Sequence, residues 1–428
     1  MRTVREITQD AFDRHRSGDL AGAESIYDQL LSQLSQPDPN VLYGYGTLLA
    51  TQQRYGLAIT LLQGSLGLYR DHAPTWTNLA CAYKFAGRDE EALRAYETAL
   101  SLEPHAPDIL AGIAGFWINK AEARRVEDYA RRALTIDPSH DAAHMHLALG
   151  LLEQGRFEEA WSHYEHRWNT LERKNDRRPY KASKWTGEPV GTLAIHGEQG
   201  LGDEILFMSA FKMARSRAQR IVVECAPRLL PLFERSFDAT CYGTHVELIE
   251  AEGEPDAWIS MGDLFGVVGM GDGSPYLART ERTKSHRIGI AWKGGTARTN
   301  KSDRTLELSD FAPILSTPGI EFVSVQYGDD AEAAELGVRP LGNADFDAIQ
   351  ARIESCELVI SVCQTAVHQA GAMGVPCWVL TPKHAAWRYC GETMPWYNSV
   401  RLYRQTGEWS DVIEGIATDL RKLHVAAA

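Results

Sequence analysis

Residues 73–104, APTWTNLACAYKFAGRDEEALRAYETALSLEP, decide how the amino-terminal part of the chain is read. Apolar and small residues recur in this stretch at helical spacing: Trp76, Leu79, Ala80 and Tyr83, then Gly87, then Ala92, Tyr96 and Ala99, then Pro104. The series returns 34 residues later as Leu110, Ile113, Ala114, Trp117, Ala121, Val126, Ala130, Ala133 and Pro138. A further step gives His144, Leu147, Ala148, Leu151, Gly155, Ala160 and Tyr164. A backward step gives Leu42, Tyr45, Gly46, Leu49, Ala58 and Leu62, with a worn copy at Gly18, Ala23 and Tyr27. Small residues let two antiparallel helices approach, large ones fill the gaps, and the proline ends the second helix.

This pattern resembles the tetratricopeptide repeat, with nine matching positions in the best copy. About four and a half repeats over residues 4–172 make a curved α-solenoid with a concave face. Such a face receives a peptide or protein; a rigid spacer or dimer platform is the competing reading. Asn78 has Gly44, Gly112 and His146 at the equivalent places, so no asparagine ladder lines the groove. His140, His144, His146, His163 and His166 invite a metal hypothesis, because two pairs have facing helical spacing. No cysteine or carboxylate completes a shell, and solvated repeat histidines are the plainer reading.

A length of 428 residues corresponds to two or three domains of ~150 residues. The composition, 44% hydrophobic and 24% charged, is that of a globular chain. Forty-four Lys and Arg against 57 Asp and Glu give a net charge of −13, which argues against nucleic acid as the main partner. A local basic pocket for one small phosphorylated ligand remains open. No apolar run approaches the ~20 residues of a transmembrane segment. The charged start, Met1 to Glu6, has no hydrophobic signal core behind it, and the seven cysteines show no CxxC spacing. The expected location is cytoplasmic.

A polar, basic stretch from Glu172 to Lys184, ending in Trp185-Thr186-Gly187-Glu188-Pro189, reads as a connector. Beyond it, strands alternate with helices, the mark of a parallel sheet. The first unit has strands at 192–195, 220–225, 246–250 and 257–261, with helices over ILFMSAFKMARS and PRLLPLFERSF. The second has strands at 287–291, 321–327, 358–363 and 377–381, with helices near 346–355 and from about 365. The expected fold is thus α plus α/β. A repeat solenoid (1–172) and a connector (173–189) precede Rossmann-like domains at 190–284 and 285–410, which a GT-B transferase would use as its acceptor side and its nucleotide-sugar side, and a helix closes the chain at 411–428. Two such sheets facing across a cleft is the GT-B arrangement of glycosyltransferases, in which the closing helix packs back on the first sheet.

Chemistry is expected at the carboxyl ends of the strands. In the loop Gly197-Glu198-Gln199-Gly200-Leu201-Gly202-Asp203, the glycines allow a tight turn and a close ligand approach, and the helix start offers N–H groups. Asp203 is either a helix cap or a chemical group. Glu224, 22 residues after Gly202, sits where a ribose-binding acid of a dinucleotide site would be, but the glycine order is GxxGxG. In the second unit, Lys293 and Gly294 follow a strand and suit a diphosphate. Arg298, Asn300, Lys301 and Arg304 lie in the next loop, solvated or closing over a ligand. Cys363-Gln364-Thr365 opens a helix whose start suits a phosphate, with His368 one turn in. Cys363 has no readable activating partner and reads as a packing residue. Asp345-Phe346-Asp347 has the letters of a metal-binding pair but precedes a helix, as a cap does.

GEQGLGDEILF (197–207), RIGIAWKGG (287–295), FVSVQYGD (322–329), LVISVCQTAVHQAGAMGVPCWVLTPKHAAWRY (358–389), GETMPWY (391–397) and VRLYRQ (400–405) together resemble a bacterial group of repeat-bearing transferases related to the ADP-heptose lipopolysaccharide heptosyltransferases. The resemblance covers essentially the whole chain. It implies a metal-independent, inverting GT-B enzyme that uses a nucleotide sugar and no other cofactor. Asp203 matches the family's base, Lys293 its donor-phosphate lysine, and Gln326 falls near the nucleotide. Cys363-Gln364-Thr365 replaces the family's Asp-Thr, so the sugar and nucleotide need not be heptose or ADP. Trp387 and Arg388 match a Trp-Arg pair to which no role is assigned. The acceptor implied is a protein presented by the solenoid, with flagellin as one candidate and a homo-oligomer compatible. A lipopolysaccharide or lipid-linked glycan is the alternative acceptor, and a non-catalytic scaffold the alternative class.

Overall fold

Helix-period patterning builds the amino-terminal third of the computed structural model. The structure describes all residues except Met1, Asn119, Ala121, 171–175, 280–285, 296–300, Asp329, Asn343 and Ala428, and the backbone alone at 301–302 and 424–427. Contacts divide the chain into two units, Met1–Gly150 and Leu151–Ala428.

In the first unit, helices α1 (Val4–Ser17), α2 (Leu20–Gln33), α3 (Pro39–Thr51), α4 (Tyr55–Leu68), α5 (Ala73–Phe85), α6 (Asp89–Leu102), α7 (Pro107–Trp117) and α8 (Ala123–Ile136) pack as successive hairpins. The small residues of the repeat make this possible: Ala80, Ala92 and Ala99 are wholly buried, with Leu79 and Tyr96 filling the space between them. Gly112 is required by a close approach, since a Cβ there would lie 2.9 Å from the Tyr96 ring. The position an asparagine ladder would use is thereby given to packing. Proline at the first turn starts α3, α5 and α7, where its missing N–H costs nothing. Helix α9 (Asp141–Glu153) spans the boundary between the units.

The second unit begins with the end of that helix and α10 (Phe157–Tyr164), followed by a 3-10 turn at Glu165–Asn169. Two five-stranded, all-parallel sheets follow. The first has strands β1 (Ser183–Lys184), β2 (Val190–His196), β3 (Ala218–Glu224), β4 (Thr240–Tyr242) and β5 (Ala257–Ser260), in the order β1-β5-β2-β3-β4. The second has β6 (Arg287–Ala291), β7 (Glu321–Ser324), β8 (Leu358–Val362), β9 (Cys377–Thr381) and β10 (Val400–Arg404), in the order β10-β9-β8-β6-β7. Helices α11 (Leu201–Phe207), α12 (Phe211–Arg215), α13 (Leu230–Ser236), α14 (His245–Glu252) and α15 (Leu264–Val268) go with the first sheet, and α16 (Ala312–Leu315), α17 (Phe346–Glu354), α18 (Thr365–Ala372) and α19 (Trp409–Ala427) with the second.

Three local expectations need correction. Residues 246–250 are not a strand but the body of α14; the Thr244 side chain accepts the Glu247 N–H at 3.2 Å, and Gly253 ends the helix at φ +74°. The closing helix does not return to the first sheet. Its Val412, Ile413, Ile416, Ala417 and Leu420 join the core of the second, with Ile288, Ile290, Ile360 and Leu380. Finally, part of the stretch read as connector forms β1, and Trp185 after it is buried with its indole donating to the Glu188 carbonyl at 2.7 Å. The 284/285 boundary lies outside the described residues. No cysteine is disulfide-bonded, and five of the seven are buried. Among the described residues no helix is long and apolar enough to cross a membrane.

Candidate active site

Each sheet has a point where the chain, after building to one side of a strand (β2 in the first sheet, β6 in the second), returns to the other. In open parallel sheets, ligands enter outside the carboxyl ends of the strands at that point. In the first sheet it lies between the loops after β2 and β5, and it is filled. Arg167, 1% exposed, reaches in from the turn after α10. It forms a two-nitrogen ion pair with Glu198, pairs with Asp263 at 2.6 Å and donates to Ser260 Oγ at 3.0 Å. Glu198 also accepts the Gly262 N–H at 3.0 Å, and Lys184 reaches Asp263 at 2.8 Å. Burial opposes both carboxylates, yet Arg167 holds Glu198 below its ordinary range and, with Lys184, sets Asp263 at about 2. Glu198, expected at the acceptor, is therefore a buried strut of the loop. Glu224, the ribose candidate, is engaged by Arg178 at 2.8 and 3.0 Å, so the dinucleotide reading fails on geometry.

The rest of that loop reaches the second sheet. Gly200, not Asp203, caps α11; Asp203 occupies the third helical position and its Oδ2 accepts the Gly200 N–H at 3.3 Å. Its Oδ1 is ion-paired with Arg388 Nε, from the segment after β9. Arg388 lies on the Trp387 ring at 4.6 Å and donates through Nη2 to Gln199 Oε1 at 3.0 Å. Gly202 leaves the room for α11 to lie on α18: a Cβ there would stand 2.9 Å from the His368 ring.

In the second sheet, the corresponding point lies between the loops after β6 and β8, and it is lined by backbone. A Cβ on Gly294 would be 2.7 Å from the Cys363 carbonyl oxygen, so the two turns touch. Gly295, at φ +75°, lies against the Arg304 guanidinium. Helix α18 starts at Gln364 without a side-chain cap, and the first N–H groups of a helix have no partners inside it. An arginine, two glycines and a helix start thus meet at this point, the kinds of group with which proteins bind anions.

The other expected donor residues support this surface rather than form it. Lys293, read as the bare cation, bonds Glu332 at 2.6 Å; Lys293 and the Trp292 indole hold that carboxyl below its ordinary range. The Arg304 guanidinium stands on the same turn, against Gly295. Gln326, 5% exposed, accepts the N–H groups of Trp292 and Lys293 at 3.1 and 2.9 Å and so shapes the turn after β6. The Cys363 thiol is buried and pushed up to about 12 by that burial, which matches a packing role. His368 is buried between two hydroxyls, Tyr397 on Nδ1 at 3.1 Å and Tyr389 on Nε2 at 3.0 Å; burial, with Arg388 and Arg304 near, lowers it to about 3. Both ring nitrogens are thus occupied within the protein. Thr365 is half-buried at the start of α18. Arg298 and Asn300, and the Lys301 side chain, lie outside the described residues.

Sequence reasoning missed Tyr164, whose hydroxyl accepts the Gln199 amide N–H at 2.9 Å, and gave Arg388 no task. The Tyr389 hydroxyl also donates to the Gln364 carbonyl at 3.4 Å, which ties the segment after β9 to the start of α18. Asp345 caps α17 through the Ala348 N–H at 2.8 Å, and Asp347 pairs with Arg235, so the pair is occupied as the cap reading requires. His140 bonds Asp108 at 3.0 Å and His146 the Ala111 carbonyl at 2.9 Å; among the described residues no three such side chains gather as a metal site.

Comparison with known proteins places the repeats. Tetratricopeptide repeat families match residues 13–73 and 73–106. The chain is 26% identical over 96% of its length to Protein FlbA of Caulobacter vibrioides, covering 83% of that protein. It is 33% identical over 18% of its length to the peroxisomal targeting signal receptor of Kluyveromyces lactis, covering 14% of that protein. Among solved structures, a thermophilic tetratricopeptide-repeat protein of Thermus thermophilus is 17% identical with a TM-score of 0.36, over 40% of this chain and 93% of the other. MamA of Desulfovibrio magneticus is 18% identical with a TM-score of 0.32, over 40% and 97%. The chain therefore carries tetratricopeptide repeats, followed by a region with two parallel sheets.

Proposed function

We propose that the protein is a metal-independent, inverting glycosyltransferase that moves a sugar from a nucleotide sugar to a hydroxyl of a protein acceptor. One observation carries the reading: a carboxylate, Asp203, delivered from the first sheet and tied by Arg388 to the second, next to a strand-end surface of Gly294, Gly295, Arg304 and the uncapped start of α18. A donor diphosphate suits that surface, where Arg304 and the helix N–H groups offset the charge that grows as the sugar–phosphate bond breaks. Asp203 takes the proton of the acceptor hydroxyl as its oxygen bonds the anomeric carbon from the opposite face; general-base help of this kind contributes ~10²–10⁴-fold. The diphosphate leaves as the free nucleotide and the anomeric configuration inverts.

The tetratricopeptide repeats supply the reason to expect a protein acceptor, because such arrays present extended binding surfaces. Flagellin, one candidate among the protein acceptors the family resemblance implies, is the first substrate to test. A thermal-shift screen against a nucleotide-sugar panel, followed by mass spectrometry of an acceptor incubated with the best donor, tests the reading. A stabilising donor is expected, together with an acceptor mass increase of one sugar that Asp203→Asn slows by ~10²–10⁴-fold and a stabilisation that Arg304→Ala removes. A protein that no nucleotide sugar stabilises is a repeat scaffold instead.

A further inference from the structure

Gln199 has φ +67°, and the only other left-handed residue besides glycine among the described residues is Gln53, just past the end of α3. A side chain in this region is strained, and the next residue in the loop is a glycine that does not use it. What the conformation achieves is visible in the amide. Gln199 Nε2 donates to the Tyr164 hydroxyl at 2.9 Å, at the end of α10, and to Glu198 Oε2 at 3.3 Å. Its Oε1 accepts Arg388 Nη2 at 3.0 Å, and the same guanidinium holds Asp203 through Nε.

Each member of this series is itself fixed. Tyr164 is 3% exposed, with its ring 5.5 Å from Trp161 and 6.3 Å from Trp387. Arg167, whose guanidinium lies 4.6 Å from the Tyr164 ring, clamps the preceding residue Glu198. Arg388 is pinned over Trp387, whose ring is 5.8 Å from that of Trp161. The glutamine is thus bonded on one side to the end of α10 and on the other to the arginine of the second sheet.

We infer that Gln199 is a positioning residue for Asp203: its amide ties the Tyr164 hydroxyl to the Arg388 guanidinium, and this bond sets where the carboxylate stands. The inference rests on the reading of Asp203 as the base in glycosyl transfer. Arginine can turn about its long stem, so two fixed acceptors, one on Nε and one on Nη2, are what hold it in one pose. A base displaced by about 1 Å loses on the order of 10²-fold in rate.

Gln199→Gly is the discriminating variant, because glycine adopts the left-handed conformation without strain while removing the amide. The expected result is a Tm lowered by no more than a few degrees, a kcat lowered roughly 10- to 100-fold, and a donor KM within about twofold of the parent. In an Asp203→Asn background the same change should cost nothing further. Tyr164→Phe, which keeps the ring and removes one bond of the series, should lower kcat in the same direction by less. An unchanged kcat in Gln199→Gly, or an equal loss with and without Asp203, overturns the positioning role while leaving the transferase reading intact. A parent protein that turns over no nucleotide sugar removes that reading, and this inference with it.

Discussion

Glu204, 5% exposed behind the Gly197–Asp203 loop, has the Ala226 N–H at 2.9 Å as its hydrogen-bond donor, and burial, with Glu224, Asp203 and Glu198 nearby, pushes its carboxyl up to about 8. In the unfolded chain it titrates at its ordinary value of 4.5. Between those values the folded chain holds the extra proton, so this group's contribution to stability falls as pH rises through the window. Glu204→Gln keeps an acceptor for Ala226 and cannot ionise. Its Tm advantage over the parent should grow steadily from about pH 5 to about pH 8 in scanning calorimetry, and a difference independent of pH would refute the assignment. His368 has the opposite sign: lowered to about 3 by burial, it withholds a proton that the unfolded chain takes up near 6.5, and stability drops as pH falls between those values. At this scale the sequence was legible wherever a residue works within its own loop. Asp203 stands out beside its glycines, whereas the role of Arg388 depends on a partner 185 positions away and leaves no local trace.

Elements were legible where one periodicity ran long enough to outvote the others. The repeat helices and most core strands came through; VELIE did not, because its β-branched and apolar residues suit a strand until Thr244 and Gly253 close a helix around them. Strand β10 escaped because only Val400 of its residues is buried, so its apolar signal is thin. The closing helix was recognised, but an amphipathic stripe says that a face is buried and not against what. Since Ile416 is fully buried in the second sheet's core, Ile416→Ala should lower stability by about 2–5 kcal/mol in denaturant unfolding. The turn after β6 is a sharper case. Gly294→Ala pushes a methyl against the backbone oxygens of Cys363 and Arg304, at 2.7 and 3.0 Å, which no rotamer change relieves. Donor binding should weaken at least tenfold by calorimetry with the repeats' helical signal intact; unchanged affinity would show that the donor does not use that turn.

For the molecule as a whole, the division that matters does not fall where the repeat pattern stops. Sequence periodicity carries through Tyr164 and suggests a boundary near residue 172, but α10 and Arg167 belong to the unit that begins at Leu151. A chain shortened to 173–428 strands Glu198 and Asp263 without their arginine, and breaking a buried pair in this way costs ~3–5 kcal/mol. It should therefore melt well below a chain beginning at 151, a comparison that thermal denaturation of the two makes directly. Equal melting temperatures would show that the ion network is dispensable.

The unbridged cysteines give the protein an internal clock. Burial pushes the thiols of Cys241, Cys356 and Cys363 up to about 12 and those of Cys225 and Cys377 higher still, so the reactive thiolate is scarce and shielded while the sheets are closed. An alkylating reagent then modifies these five sulfurs only as fast as the parallel sheets open, and labelling time courses read out native-state opening without any engineered reporter. Because Cys363 abuts the Gly294 turn, slower labelling there than at Cys241 in the presence of a bound anion would time the breathing of the ligand surface itself.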